Sequence, residues 1–257
     1  MKINIIGEPR SIGMPAHLAE LLWRYGHQAY LNSLNYDYFD VNMVLGLWYL
    51  RPEILHHNNL IYGCGSDVWA NPRLASLLPY LEQADLMLYG HPDMPTKTGV
   101  PGTYWQLPAD TQKFRKSKPN EIPPKITRDT LIYMPNPVTY NISKVLQYIV
   151  EHPQEKITLI GAGFQDIWMA DLPPNLLTIR WMPYNLMRNL YLQHHTLRKW
   201  LTHKATPTGK MEIEALLCGL KAYLNDKQIT EPPKQMLDYN AIPKLLEMIQ
   251  DVVDDRS

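Results

Sequence analysis

Apolar runs of a few residues recur along both halves of the chain, and the stretches between them carry apolar residues at helical spacing. Lys2–Ile6 is such a run. It ends at Gly7 and is followed by Met14, Leu18, Leu21, Leu22 and Tyr25, the spacing of one helix face, before Gly26 and a second run at Gln28–Leu31. Strand, helix and strand in that order make the unit from which parallel sheets are built. Further runs lie at Asp40–Trp48, Leu60–Tyr62 and Ala84–Tyr89, with a short helix over Leu74–Tyr80. In the second half, runs at Leu131–Met134, Lys156–Ile160, Leu176–Trp181 and Leu197–Thr202 alternate with helical stretches at Ser143–Val150 and Met182–Tyr191. The pattern predicts an α/β chain with two parallel-sheet domains.

Size and charge bound the partners. A chain of 257 residues accommodates one large domain or two of roughly 120 residues each, and either can bury a core. With 25 basic and 25 acidic residues, it has no overall field to steer nucleic acid or an anionic membrane, so any phosphate site must be local. Cys64 and Cys218 both stand in apolar company and read as buried thiols of a reducing compartment. The start, MKINIIGEPR, is too short and too soon interrupted for a secretory leader, and no run approaches the ~20 residues of a membrane span. A cytoplasmic protein is expected.

The stretch Thr202–Asp226, THKATPTGKMEIEALLCGLKAYLND, carries the chemistry. A turn-prone Thr-Pro-Thr-Gly run opens a helix bearing Glu214, and Gly219 delivers the chain into a short apolar strand. Unpaired N–H groups from Thr208 to Met211 suit a phosphate, and Glu214, one turn in, is placed to accept hydrogen bonds from a ribose.

Glu214, Ala215, Cys218 and Gly219, with Gly209 in the loop, resemble the donor-nucleotide segment of retaining GT-B glycosyltransferases. That family usually carries an acidic residue eight positions before the glutamate, facing the transferred sugar; here it is Thr206. Gly13, in the loop after the first strand, resembles the glycine at which the family's backbone approaches its substrate. His17, on the helix that follows, matches a family histidine or is a packing residue. The phrase GSDVW resembles a Gly-Ser-Asp-Val of the family's N-terminal domain, which places Asp67 toward the acceptor; Ser66 or Asp67 as a helix cap is the alternative. WQLPADTQKF, with Leu107, Pro108, Asp110, Thr111 and Phe114, resembles the phrase that closes the family's first domain. Arg115–Lys125 then reads as an interdomain linker, and Lys113, Arg115, Lys116 and Lys118 as its solvated basic cluster, with contact to an anionic lipid or acceptor as the alternative.

The resemblance implies a short GT-B protein: residues 1–122 as an acceptor-side Rossmann-like domain and 123–240 as the donor-side domain. The two would face a central cleft, with a helix at 241–257 packing back across the junction. It implies transfer of a hexosyl group from a UDP- or GDP-sugar to a glycan, lipid or small molecule, with retention and with neither metal nor cofactor. Lys144 and Lys204, with His203 nearby and Thr208, Gly209 and Lys210 in the loop, would meet the diphosphate, and Gly163 belongs to the family's strand-Gly-x-Gly turn. Met182 and Tyr184 would meet the base. Glu214 would hold the ribose, Thr206 would line the sugar pocket, and Asp67 or His91 would face the acceptor. His91 as a solvated loop residue, Lys144 as an exposed helix residue and Tyr184 as a core ring are the plain alternatives. A GT-B-type sugar epimerase and a non-catalytic nucleotide-sugar or glycan-binding protein are the other functional readings.

Overall fold

The computed structural model describes residues 1–8, 14–64, 71–134, 140–161, 172–180, 182–202 and 209–255. The chain forms two compact units, residues 1–108 with 238–257, and residues 109–237. It passes into the second unit after Pro108 and returns after Leu237, so residues 109–122, expected in the first domain, pack with the second.

The first unit is a six-stranded parallel sheet in the order β2-β1-β3-β4-β5-β6. Its strands are β1 (Lys2–Ile6), β2 (Gln28–Leu31), β3 (Val41–Leu45), β4 (Asn59–Gly63), β5 (Leu86–Tyr89) and β6 (Thr103–Tyr104). Helices α1 (Met14–Arg24), α2 (Leu74–Leu81) and α3 (Met94–Thr98) connect them. Because side chains alternate across a strand, each central strand feeds two cores. Ile3, Ile5, Val41, Met43 and Leu45 pack with Leu18, Leu21 and Leu22 of α1 on one face. Ile6, Val44, Ile61 and Met87 pack with Leu77 and Leu81 of α2 on the other. This is why β3 and β4 are buried at every position rather than at alternate ones.

The second unit is also six-stranded, in the order β12-β11-β10-β7-β8-β9. β7 (Thr130–Tyr133), β8 (Ile157–Ile160), β9 (Leu176–Ile179), β10 (Thr196–Lys199) and β11 (Lys221–Leu224) are parallel, and β12 (Lys227–Ile229) is antiparallel to β11. Helix α4 (Ile142–Glu151) packs Val145, Tyr148 and Ile149 against Ile132, Leu159 and Trp200 on one face. On the other face α5 (Met187–Leu192) and α6 (Lys210–Leu217) pack with Leu131, Ile160 and Leu197. Phe114 is fully buried in that second core. Asp110 Oδ1 accepts the N–H groups of Gln112 and Lys113 and fixes the turn that inserts it. The segment expected as a loose linker is pinned as well: Arg115 and Arg188 both grip Glu121, whose carboxyl the Arg115 guanidinium, the Lys118 N–H and Arg188 hold at about 2.

The closing helix α7 (Asp238–Asp255) belongs to the first unit. Ile242, Leu245 and Ile249, all fully buried, form one stripe against the α1 face of that sheet.

Candidate functional site

In the second unit the strand order reverses between β7 and β10. β8 and β9 follow β7 to one side, and β11 follows β10 to the other. Open α/β sheets bind ligands in the crevice beyond the carboxyl ends of the strands at such a reversal. The chain leaving β10 reaches Gly209 and enters α6 there, so the amino end of α6 lies at the end of the sheet where a ligand is expected.

Helix α6 is bounded by two glycines that do different work. Gly219, at φ 94°, takes the left-handed turn that ends the helix, where its N–H meets Leu216 O at 2.9 Å. Gly209 is the N-cap and offers no capping side chain. A methyl group there would stand 2.9 Å from Glu212 Oε2 and 3.0 Å from Lys199 Nζ, so both side-chain ends come close to the N-cap.

Glu214 is 1% exposed. Its carboxylate accepts the hydroxyl hydrogen of Tyr184 on Oε1 and that of Tyr191 on Oε2, the latter at 3.1 Å. The Lys210 ammonium lies 3.3 Å from Oε1. Burial pushes the Glu214 carboxyl upward, against the pull of Lys210 and the two hydroxyls, and pushes the Lys210 ammonium downward. Tyr184 and Tyr191 are held well above the ordinary phenol value by burial and by the adjacent carboxylate, so both remain donors. The Tyr184 ring carries two ammonium groups, Lys210 at 3.9 Å and Lys113 at 4.8 Å from its centroid, and it leans on Phe114 at 5.2 Å.

A second pair lies beneath the same helix end. Lys199 Nζ is 2.9 Å from Glu212 Oε1, with the lysine 8% and the glutamate 0% exposed. Among the described residues neither Glu212 oxygen receives an aligned hydrogen bond. The alternation of β10 explains why Lys199 points this way. It follows Leu197 toward α6, while Arg198 and Trp200 face α4.

Of the residues expected from the sequence, the structure brings Gly209, Lys210, Glu214 and Tyr184 together, and Met182 packs half-buried on the core beside them. Lys144 lines a separate groove with Tyr148, Arg198 and Asp226, on the α4 face of the sheet. His91 follows β5 in the first unit, is 4% exposed rather than solvated, and accepts the Asp93 N–H on Nδ1 at 3.0 Å. Gly13, Asp67, Gly163, His203, Lys204, Thr206 and Thr208 lie outside the described residues. Tyr191, Lys199 and Glu212 are neighbours that the sequence did not announce, and Lys113, read there as part of a solvated basic cluster, lies over the Tyr184 ring. Among the described residues no three His, Cys, Asp or Glu side chains converge to hold a metal ion, and no helix is long and apolar enough to cross a membrane.

No protein-family model and no curated protein matches the sequence. Solved structures do match along its whole length. An alpha-glucosyltransferase in complex with UDP-glucose and DNA containing an abasic site aligns at a TM-score of 0.64 and 12% identity, covering 100% of this chain and 91% of that one. The chain has the GT-B fold. HepE from Anabaena, in complex with UDP and glucose, gives a TM-score of 0.60 at 12% identity, with 98% and 92% covered. Sucrose-phosphate synthase from Thermosynechococcus elongatus gives 0.57 at 12%, with 97% and 90% covered. At such identities the likeness is one of architecture, two parallel-sheet units in a GT-B arrangement of strands, and says nothing by itself of the ligand in this chain.

Proposed function

We propose that the protein is a glycosyltransferase that takes a hexosyl group from a nucleoside-diphosphate sugar and transfers it with retention, without a metal. The observation that carries this reading is Glu214. It is a buried carboxylate one turn into the helix that starts at the strand-order reversal, beside an N-cap with no side chain of its own. Structures of the same fold in complex with UDP or UDP-glucose support it.

In this reading the N–H groups at Gly209 and Lys210 meet the diphosphate, joined by His203, Lys204 and Thr208. Helix N-termini and ammonium groups offset the charge that develops on the departing diphosphate. The ribose hydroxyls replace the Tyr184 hydroxyl and the Lys210 ammonium on Glu214, and Met182 and the Tyr184 ring meet the base. Thr206 lines the sugar pocket. Asp67 and His91 of the first unit serve the acceptor, a glycan, lipid or small molecule, for which the even balance of charge provides no polyanion-binding field.

The test is transfer and donor hydrolysis measured with a panel of UDP- and GDP-sugars, alongside calorimetric titration with UDP and GDP. Turnover that Glu214→Ala lowers through donor affinity supports the reading. Binding without turnover, unchanged in a Thr206→Glu variant, points instead to a non-catalytic nucleotide-sugar protein. Unchanged donor affinity in Glu214→Ala removes that residue from the site.

A further inference from the structure

Residues 115–128 pass the amino ends of β10 and β11, the opposite end of the second sheet from Gly209, as a strap fastened at both ends. Arg115 and Arg188 grip Glu121 at one end, where the Glu121 N–H closes a turn on Lys118 O at 2.9 Å. At the other end the N–H groups of Thr127 and Arg128 meet Gln193 O at 3.2 and 3.3 Å. In between, Pro123 and Pro124 fix two φ angles and remove two donors, so the strap needs no partner strand. Behind it lies a cleft of about 490 Å³, floored by Leu192, Cys218 and Leu220 and walled by Pro123, Pro124 and Ile126. The strap's isoleucines leave it open: Ile122 is 97% and Ile126 47% exposed.

A single exposed apolar side chain is ordinary. Here two flank a proline pair at an apolar cleft, and cations surround them. Lys116, Lys118 and Lys125 are all exposed, and among the described residues no carboxylate pairs with any of them. Glu121, the one acidic residue between 115 and 126, is already held by two arginines. The stem of Lys116 lies across Gly219 at the rim of the cleft, its Cε 2.8 Å from where a Cβ of that glycine would stand. In a chain with no net charge this patch is locally positive. A nucleic acid would pair the lysines and leave the isoleucines and the cleft unmatched, while an apolar protein face would bury the lysines without counter-charge. The surface of an anionic bilayer meets both needs.

We propose that the strap docks the protein on an anionic membrane surface. The three ammonium groups meet headgroup phosphates and carboxylates, Ile122 enters the boundary between headgroups and acyl chains, and the bilayer covers the cleft. The surface shares no residue with the site around Glu214.

The test is co-sedimentation of the full chain with vesicles of phosphatidylcholine alone and of phosphatidylcholine mixed with phosphatidylserine, at low and high salt. The wild-type protein is expected to bind the mixed vesicles, to release them at high salt, and to ignore the neutral ones. Lys116→Gln/Lys118→Gln/Lys125→Gln is expected to weaken partitioning by about a hundredfold. Ile122→Ser is expected to weaken it by about tenfold while keeping its salt dependence, and Ile122→Trp to strengthen it. All three variants change exposed side chains and are expected to keep the wild-type urea midpoint. No binding by the wild-type protein, equal binding to neutral and anionic vesicles, or wild-type binding in the triple variant overturns the proposal. So does a dimer in sedimentation velocity that Ile122→Ser dissolves, which would make a second copy of the chain the cover. Duplex DNA that competes with the vesicles and binds Ile122→Ser as well as wild type would assign the lysines to nucleic acid instead.

Discussion

Tyr191 of α5 and Glu214 of α6 are joined by a hydrogen bond of 3.1 Å in which both partners are buried, so the two helices that cover one face of the second sheet are tied through a single carboxylate. That carboxylate also takes the Tyr184 hydroxyl and the Lys210 ammonium. Glu214→Ala strands three donors at once, one of them on the fully buried Tyr191 and one on the half-buried Tyr184. It is expected to cost about 3 kcal/mol or more in urea unfolding. Glu214→Gln keeps an acceptor and the volume and is expected to cost about half as much. A smaller loss for Ala than for Gln would show that the network does not hold the two helices.

The Tyr184 hydroxyl occupies the Glu214 oxygen that a ribose would need, and it does so from a half-buried residue at the start of a single helical turn. Tyr184→Phe keeps the ring for Phe114 and Lys210 and removes the competing donor. The expected outcome is opposite in sign for two measurements: stability falls by about 1 kcal/mol, and affinity for the nucleoside diphosphate rises several-fold. A loss of affinity in this variant would mean that the hydroxyl itself binds the ligand.

Glu121 titrates at about 2 because Arg115, the Lys118 N–H and Arg188 stabilise its ionised form. A carboxyl whose folded pKa is depressed adds stability above its unfolded pKa, and that stability is lost as pH falls through the folded value. The urea midpoint of the wild-type protein is therefore expected to fall between about pH 4.5 and pH 2. In Glu121→Gln the decline over that window is expected to be shallower. Equal slopes in the two proteins would show that the Arg115–Glu121–Arg188 cluster does not tether the 109–125 segment in solution.

Much of the fold was legible because the apolar runs are bounded by turn residues, and nearly every run from Lys2–Ile6 to Leu197–Thr202 overlaps a strand. β12 was not. It pairs with β11 across a two-residue turn in which Asn225 (φ 48°) and Asp226 (φ 66°) both take the left-handed conformation, and Asn-Asp signals that turn more faintly than Asn-Gly does. The domain boundary was displaced because the Pro- and Lys-rich text after Phe114 resembles a linker by composition. What fixes it to the second unit is a buried ring and one carboxylate between two arginines, contacts that join distant residues. The site divided in the same way. Glu214 and Gly209 were visible as a local phrase. Lys199 and Glu212 were not, since a lysine on a strand and a glutamate in a helix's first turn each have ordinary surface explanations until the fold buries both. Lys144 shows the converse: its place at the start of a helix was readable, but which sheet face that helix covers was not.

Ile249 lies eight residues from the end of the chain and is fully buried with Ile3, Val41 and Leu245, so the last helix completes the core of the unit that the first strand began. Ile249→Ala removes three carbon atoms from that core and is expected to cost about 2–4 kcal/mol, the spread depending on how far the site collapses. The loss should be local to one unit. By native-state hydrogen exchange the amides of β1 and β3 are expected to lose protection, while those of β7 and β8, whose core contains no residue of α7, keep theirs. Equal deprotection of both sheets would mean that the two units unfold as one, and that the chain's return after Leu237 couples their stabilities.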